Sequence, residues 1–343
     1  MIIEGSRNRL TRNLFAMSIW PGAYQDRYEG SSEKWEAALE IMDATNVVLK
    51  DNVIAGAERI GVHLDGEPCP GADNPVDSWS GNVIHSALHG THVYEDGLPE
   101  CSMISNFLIY KCHSYGVYFQ SVSSAVLSNV TSVDNGIGSF TSIIGPPSIS
   151  HEGKNKFVQI QDSLFVGRSA AFSCEDDVLD FSDDNIEIAR SVGGLGFSSE
   201  KGTPGGHIGI SFPGFISGFS DSPNHPWDMV MKVPALLGVT EVKGVTFSNF
   251  GEACSGLQDV VFHTWNSNED GMHPIETEGL WFEDVDENNK AFIGRPALST
   301  INPTECIDME CDGKKETLIK DRDGTFLPSG SPGALIPQAE WEW

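Results

Sequence analysis

The stretch 46-NVVLKDNVIAGAERIGVHLDG-66 contains a pattern that returns three times further along the chain. An Asn precedes a short run of apolar and β-branched residues, a turn follows, and a Gly opens a second short run. The further copies are 78-SWSGNVIHSALHGTHVYEDG-97, 102-SMISNFLIYKCHSYGVYFQS-121 and 124-SAVLSNVTSVDNGIGSF-140. The Asn positions are Asn52, Asn82, Asn106 and Asn129, and the Gly positions are Gly61, Gly90, Gly116 and Gly136.

The spacing of this repeat indicates a solenoid. Successive Asn positions are 30, 24 and 23 residues apart. A unit of ~20–30 residues with strands too short to bury their own apolar face is one coil of a β-solenoid, and stacked coils share one core. Asn recurring at one turn favours a ladder of side-chain amides. The sequence therefore predicts an all-β fold, a right-handed single-stranded parallel β-helix of the pectin-lyase-like kind, with Asn52, Asn82, Asn106 and Asn129 as its structural ladder.

Weaker copies at 157–174, 242–250 and 279–294 extend the repeat. We expect a single β-helix domain over 1–343, with the clearest coils at 45–174, an irregular insertion at 175–235, further coils at 236–294, and C-terminal strands or a cap at 295–343. The run 31-SSEKWEAALEIMDA-44 begins with a Ser and a later Glu that resemble a helix capping box. It predicts a short N-terminal helix.

The charge balance limits the partners. The chain has 343 residues, of which 49 are acidic and 21 basic, for a formal net charge of -28. Such a surface repels nucleic acid and anionic lipid, so no nucleic-acid partner is expected. No stretch approaches the roughly 20 apolar residues of a membrane span, which predicts no direct membrane insertion of this segment. The N-terminus lacks the features of a signal peptide, and we expect the chain to start inside a larger protein.

The chain has seven cysteines and no CxxC pair, so their spacing does not match a zinc ribbon or a thioredoxin motif. Cys306 and Cys311 are close enough for a local disulfide. Cys69 with Cys101 is a second possibility, and the spacing does not decide between connectivities.

Several long motifs resemble the β-helix region of the fibrocystin and fibrocystin-L family. They are WPGAYQDR (20–27), NVIAGAERIGVHLDGEPC (52–69), GNVIHSALHGTHVYEDG (81–97), EDGMHPIETEGLWFEDVD (269–286) and CDGKKETLIKDRDGTF (311–326). The resemblance covers most of the chain. It implies an extracellular or cell-surface location, as part of a larger membrane-anchored or secreted receptor-like protein. It carries over no catalytic residue, since no catalytic motif matches residue by residue.

One row of side chains is the main candidate for ligand binding. Aligning the copies on their Gly puts Val62, Thr91, Val117 and Ile137 in one column, and His63, His92, Tyr118 and Gly138 in the next. Strand alternation points the second column outward. The side chains of His63, His92 and Tyr118, beside Asp65 and Glu95, then form an external stripe that would bind sugar rings or a metal. The alternative is an ordinary ladder of solvent-facing side chains.

Two groups suggest metal ions. His85, His89 and His92 crowd one coil, and imidazoles ligate transition metals, but their spacing matches no ligand set of defined geometry. Asp321, Asp323 and Gly324 superficially resemble a calcium loop, although the EF-hand spacing is missing. A turn in which Asp side chains cap backbone N–H groups is the favoured interpretation there.

Glycan cleavage on a β-helix usually needs paired carboxylates or a calcium and Arg arrangement. The pairs Asp176/Asp177 and Asp183/Asp184 are candidates, although adjacent strand residues face opposite ways, and Arg168 lies near Asp162 in sequence. The one sequon begins at Asn129, on the predicted ladder, where we expect it to be buried and unglycosylated.

These patterns favour a non-catalytic extracellular β-helix module that binds a glycan or a protein partner along an outer face. The alternative is a polysaccharide-degrading enzyme of the lyase or hyaluronidase type. No catalytic residue is assigned. No cofactor is expected, with calcium possible, and a metal site stays open.

Overall fold

The fold was analysed in a computed structural model, which describes residues 1–18, 37–70, 78–93, 98, 100–121, 123–143, 156–173, 205–212, 238–251, 258–265, 275–294 and 319–335. Strands are numbered β1 to β28 along the chain. Within these residues they form three long sheets and one small sheet.

Sheet 1 has nine described strands: β1 (Ile2–Ser6), β4 (Ala37–Thr45), β7 (Ile60–Leu64), β11 (His89–Val93), β14 (Tyr115–Ser121), β17 (Ile137–Ile143), β20 (Gly205–Ser211), β23 (Gln258–Trp265) and β26 (Ala291–Gly294). Sheet 2 has eight: β3 (Leu14–Ala16), β6 (Val53–Ala55), β10 (Asn82–His85), β13 (Phe107–Tyr110), β16 (Thr131–Val133), β19 (Leu164–Val166), β22 (Thr246–Phe250) and β25 (Trp281–Val285).

Sheet 3 also has eight: β8 (Glu67–Pro68), β12 (Cys101–Ser105), β15 (Ser124–Ser128), β18 (Lys156–Gln161), β21 (Gly238–Lys243), β24 (Ile275–Glu278), β27 (Ile319–Asp321) and β28 (Gly333–Leu335). The small sheet comprises β2 (Arg9–Thr11), β5 (Val48–Lys50) and β9 (Ser78–Ser80).

Each sheet is built from strands of successive coils. In a typical coil the chain runs from β12 in sheet 3 through β13 in sheet 2 to β14 in sheet 1, and then enters β15 above β12. Neighbours within a sheet pair in parallel, except for β8 with β12 and β27 with β28, which are antiparallel. The predicted all-β parallel β-helix is confirmed. Stacked coils also explain how such short strands satisfy their backbone groups.

The core is one column of stacked apolar side chains between the three sheets. Phe165, Phe247 and Phe282 stack on one another from coil to coil, with ring centroids 5.6 and 5.7 Å apart. Leu49, Ile84, Ile109 and Leu127 are among the fully buried side chains of the same cluster. Stacking similar apolar residues from coil to coil therefore buries the apolar surface that a single coil would expose.

A column of glycines sets the register of sheet 1. Gly61, Gly90, Gly116, Gly138 and Gly209 stack so closely that an added Cβ would lie 2.4–2.7 Å from the carbonyl oxygen of the next coil. The fourth copy is therefore aligned by Gly138 and not by Gly136. The predicted placement of Ile137 beside Val117 was wrong: Val117 pairs with Ser139, and Tyr118 pairs with Phe140 where Gly138 was predicted.

The four repeat Asn residues form two adjacent files instead of one ladder. Asn52 and Asn82 are fully buried, and the Nδ2 of Asn52 donates to the Oδ1 of Asn82 at 3.0 Å. The register partner of Asn82 in the next coil is Phe107, so Asn106 lies one position earlier, in line with Asn129. The Nδ2 of Asn129 donates to the Oδ1 of Asn106 at 2.6 Å. The prediction of a single ladder was therefore wrong: Asn106 and Asn129 are offset by one residue from the file of Asn52 and Asn82.

The second file is a column of left-handed backbone at the corner between sheets 3 and 2. Asn106 and Asn129 have φ values of 60° and 51°. Asp162 and Gly244 take the same corner position in later coils, and Asp51 and Gly81 take the equivalent turn between the small sheet and sheet 2, all with positive φ. Gly, Asn and Asp tolerate this conformation best, so the turn itself selects them.

The predicted helix at 31–44 was wrong over its described part. Residues 31–36 lie outside the described residues, while Ala37–Thr45 forms β4, which pairs in parallel with β1 and β7. Pairing on both edges outweighs the local helical preference. The segment predicted as an insertion at 175–235 contains β20 of sheet 1, and the rest of it, except for Phe212, lies outside the described residues.

Candidate binding groove

The predicted stripe of His63, His92 and Tyr118 forms one file on sheet 1, but it does not face solvent. Register pairs join His63 to His92 and His92 to Tyr118, and the last two rings stack with centroids 4.7 Å apart. His92 is 0% and Tyr118 4% exposed. An exposed ligand-binding stripe is therefore wrong for these two residues, because the file is packed as a second apolar cluster with Tyr115 and Phe140.

Burial also disfavours the charged forms of the histidines in this file. Desolvation lowers the pKa of His92 well below its usual value, and the neighbouring imidazoles of His89 and His63 lower it further. Desolvation lowers the pKa of His63 as well, and the carboxylate of Glu40 opposes that shift from 3.8 Å. Burial raises the pKa of Asp65, whose Oδ2 accepts a hydrogen bond from Asp43 N–H. Glu95 lies outside the described residues.

The predicted metal groups are separated or already engaged. His85 lies on sheet 2, stacked on Tyr110 at 4.7 Å, whereas His89 and His92 lie on sheet 1. Asp321 is buried and accepts hydrogen bonds from the backbone N–H groups of Gly324, Phe326 and Leu327, as predicted for a capped turn. Among the described residues, no group of three His, Cys, Asp or Glu side chains is placed to hold a metal ion.

Arg168 pairs with Asp259 and not with its sequence neighbour Asp162. Its Nε and a terminal guanidinium nitrogen donate to the two carboxylate oxygens, at 2.5 and 2.9 Å. Asp259 is fully buried and also accepts from the backbone N–H of His207 at 2.8 Å. The carboxylate pairs at 176–177 and 183–184 lie outside the described residues.

A groove of about 510 Å³ lies at the corner between sheets 2 and 1 and extends over successive coils. Its floor is formed by the turns that follow β6, β10, β13 and β16, in four successive coils. These turns are themselves hydrogen-bonded in stack, for example from His113 N–H to the carbonyl of Ala87 at 2.9 Å and from Gly136 N–H to that of Cys112 at 3.2 Å. The groove therefore lies along the axis of the solenoid on a rigid base.

One wall of the groove is the segment that follows β19. Phe172 projects from it, with the Arg168 guanidinium 4.8 Å from its ring centre and the His207 ring packed edge-on at 4.9 Å. The carboxylate of Asp134 accepts hydrogen bonds from both the N–H and the hydroxyl of Ser169, at 2.6 and 2.7 Å. Phe172 is thus held as a half-buried aromatic platform from two sides.

The lining combines small apolar groups with polar groups at the rim. Ala57 and Ala87 are buried in the floor, while Lys111 is exposed and Glu58 half-exposed. The Cys112 thiol also lies in the floor, and burial raises its pKa to about 12. It is a neutral thiol at physiological pH and not a nucleophile. This arrangement suits the binding of an uncharged or weakly charged ligand of elongated shape.

The sequence predictions missed the groove residues. Glu58, Lys111 and Phe172 belong to different coils and to no recognisable motif. The structure shows why: a residue with positive φ follows each of β6, β10, β13 and β16, but these residues are Gly56, Ser86, Lys111 and Asp134, four different types that form no sequence pattern. That file marks a tight corner repeated from coil to coil.

Fold and groove together define a parallel β-helix with an axial groove at one corner. No described helix is of the length and apolarity needed to cross a bilayer. The chain is 45% identical to human fibrocystin-L over 99% of its length, 42% identical to mouse fibrocystin-L, and 31% identical to dog fibrocystin over the same share. It belongs to the fibrocystin and fibrocystin-L family. No family model matches it. The chain spans 8% of the length of these curated relatives.

Proposed function

We propose that this chain is a non-catalytic extracellular β-helix module that binds a glycan, and that the axial groove is the binding site. The groove supports this proposal because it crosses four coils, which matches a linear ligand better than a compact one. Its volume of about 510 Å³ falls within the range of small-ligand sites. The Phe172 ring offers the flat apolar surface on which the C–H face of a sugar stacks, with Lys111 and Glu58 placed for hydroxyl groups.

The extracellular location is part of the proposal. It is supported by the resemblance to fibrocystin relatives and by the disulfide between Cys69 and Cys101, since disulfides persist in oxidising compartments.

Binding is favoured over cleavage by what borders the groove. The groove is lined by two acidic residues, Glu58 and Asp134, and Asp134 is hydrogen-bonded to Ser169. Arg168, behind the wall, is paired with Asp259. A polysaccharide-degrading activity is the second hypothesis from the sequence, and no feature of the groove favours it. A role for calcium stays a prediction.

The experiment is a binding titration with two defined probes, neutral oligosaccharides of N-acetylglucosamine and acidic hyaluronan oligosaccharides of matched length. We expect the neutral probe to bind more tightly, because the net charge of -28 repels the acidic one. Phe172→Ala should weaken binding by about tenfold through loss of the stacking surface.

The matched control is Trp281→Ala, which removes an aromatic ring that is 68% exposed on sheet 2 and does not line the groove. It should leave affinity unchanged. If neither probe binds, or if both variants weaken binding equally, the groove is not a glycan site, and a protein partner becomes the hypothesis to test.

A further inference from the structure

The chain contains one N-glycosylation sequon, Asn129-Val130-Thr131, because Pro303 excludes the motif at Asn302. The sequence placed Asn129 on a buried amide ladder, and the structure contradicts this. Asn129 is exposed, and Val130 instead takes the buried position in line with Asn82 and Phe107.

Asn129 occupies the outermost point of the corner between sheets 3 and 2. Its φ of 51° turns the chain there, and its backbone N–H donates to the carbonyl of Gln161 in the next coil. The backbone is thus fixed while the side chain points out of the solenoid. Its Nδ2 donates a hydrogen bond to the Oδ1 of Asn106, which is itself half-buried.

We propose that Asn129 is a site of N-linked glycosylation. The Nδ2 of Asn129 forms a bond to the anomeric carbon of the first N-acetylglucosamine, the bond from that carbon to the diphosphate of a lipid-linked oligosaccharide donor breaks, and one amide proton is released as the lipid diphosphate leaves. The glycosylated amide keeps one N–H, which is the number that the bond to Asn106 requires. The folded corner therefore accommodates the product without losing its hydrogen bond.

A second feature of the chain points to the secretory pathway, the compartment in which this transfer occurs. Cys69 and Cys101 form a disulfide, as expected for a protein folded in the secretory pathway. This proposal does not rest on ligand binding in the groove, which lies at the other end of the sheet 2 strands.

The structure also supplies a matched internal control. Asn106 occupies the same corner one coil earlier, with a φ of 60°, but Leu108 stands two residues after it where Thr131 stands after Asn129. Leu108 and Thr131 are register partners on the outer face of sheet 2, and Leu108 is 37% exposed. Leu108→Thr therefore creates a sequon in equivalent geometry at little structural cost.

The experiment expresses all 343 residues behind a secretion signal in mammalian cells and measures gel mobility before and after peptide-N-glycosidase. We expect one mobility step for the wild type, none for Asn129→Gln or Thr131→Val, and two for Leu108→Thr. Peptide mass spectrometry should show conversion of Asn129 to Asp by the enzyme. Thr131→Val keeps the hydrogen bond between Asn129 and Asn106. Loss of the mobility step in this variant therefore cannot be attributed to a structural change at the corner.

The proposal is overturned if secreted wild type shows no step while a known glycoprotein from the same cells does. It is equally overturned if the step persists in Asn129→Gln, or if Thr131→Val remains glycosylated.

Discussion

At the scale of single residues, Asn52 shows how a buried amide holds two coils together. Its Oδ1 accepts hydrogen bonds from the backbone N–H and the side chain of Asn13, at 3.0 and 2.9 Å. Its Nδ2 donates to the carbonyl of Leu10 and to the Oδ1 of Asn82, at 3.1 and 3.0 Å. Three successive coils are therefore linked through one side chain that water does not reach.

Asn52→Ala should lower the free energy of unfolding by about 3 kcal/mol, because it leaves several buried partners without a hydrogen bond. The control is Asn106→Gly, which preserves the left-handed backbone and removes one exposed hydrogen bond to Asn129 and one part-buried hydrogen bond to Ser105, and it should cost about 1 kcal/mol. Urea titrations of both variants measure the difference. Equal losses would contradict a special role for the buried amide.

The same residue type serves two purposes in this repeat, which limits what the sequence can predict. In Asn52 and Asn82 the amide is buried, whereas in Asn106 and Asn129 the backbone is left-handed and the amide lies at the surface. The two files are offset by one residue, and both demands favour Asn. The repeat thus predicts the coil and its corner, but only the register between coils decides which side chain is buried.

At the scale of elements, the glycine column explains the close approach of strands in sheet 1. An alanine methyl at Gly90 would lie 2.4 Å from the carbonyl oxygen of Gly116 and 2.5 Å from a methyl group of Ile109. The space is occupied by backbone on one side and core on the other, so neither neighbour can move without breaking strand pairing.

Gly90→Ala should therefore destabilise the fold by about 3 kcal/mol through overpacking. Gly251→Ala is the control, since its nearest neighbour would be the carbonyl oxygen of Asp284 at 3.3 Å and the cost should stay below about 1 kcal/mol. Thermal unfolding of the two variants distinguishes them. A wild-type melting temperature for Gly90→Ala would show that the column is not tightly packed.

The helix predicted at 31–44 was wrong for a reason that belongs to this scale. The segment has good helix formers, yet it forms β4 between β1 and β7, and the alternate side chains Leu39 and Ile41 are buried in the core. Local helix preference is small per residue, and it is outweighed where a strand pairs on both edges and buries its apolar side chains.

At the scale of the whole molecule, buried histidines couple stability to pH. Burial lowers the pKa of His263 to about 4, and His92 is shifted in the same direction. Below pH ~6.5 the unfolded chain binds protons that the folded chain excludes until about pH 4. Stability is therefore lost as the pH falls through this window and regained as it rises.

For His263 this amounts to about 2 kcal/mol at pH 5 relative to pH 7. The melting temperature of the wild type should fall as the pH is lowered from 7 to 5. That of His263→Phe should fall less, and phenylalanine suits the position because Phe292 adjoins His263 in the register and Phe140 lies two coils away in the same file. His85→Phe on sheet 2 is the control and should keep most of the wild-type slope, since that ring is only half-buried. Identical slopes in all three proteins would rule out His263 as the source.

The groove could not have been predicted at any smaller scale. Periodicity in the sequence predicts strands, turns and stacking, but Glu58 and Phe172 are 114 residues apart and meet only because four coils and the segment after β19 share one corner. The register shift from Gly136 to Gly138 shows the same limit: both glycines fit the pattern, and only the packing against Gly209 selects one.

The disulfide between Cys69 and Cys101 has a mechanical consequence. It closes a loop of 32 residues that contains β9, β10 and β11, one strand from each of three sheets. A pulling force that peels the chain from its N-terminal end would release coils in turn, but it could not straighten this ring. In single-molecule stretching the oxidised chain should fall short of the reduced chain by about 110 Å of contour length. Equal lengths would mean that Cys69 and Cys101 are not bonded in the folded protein.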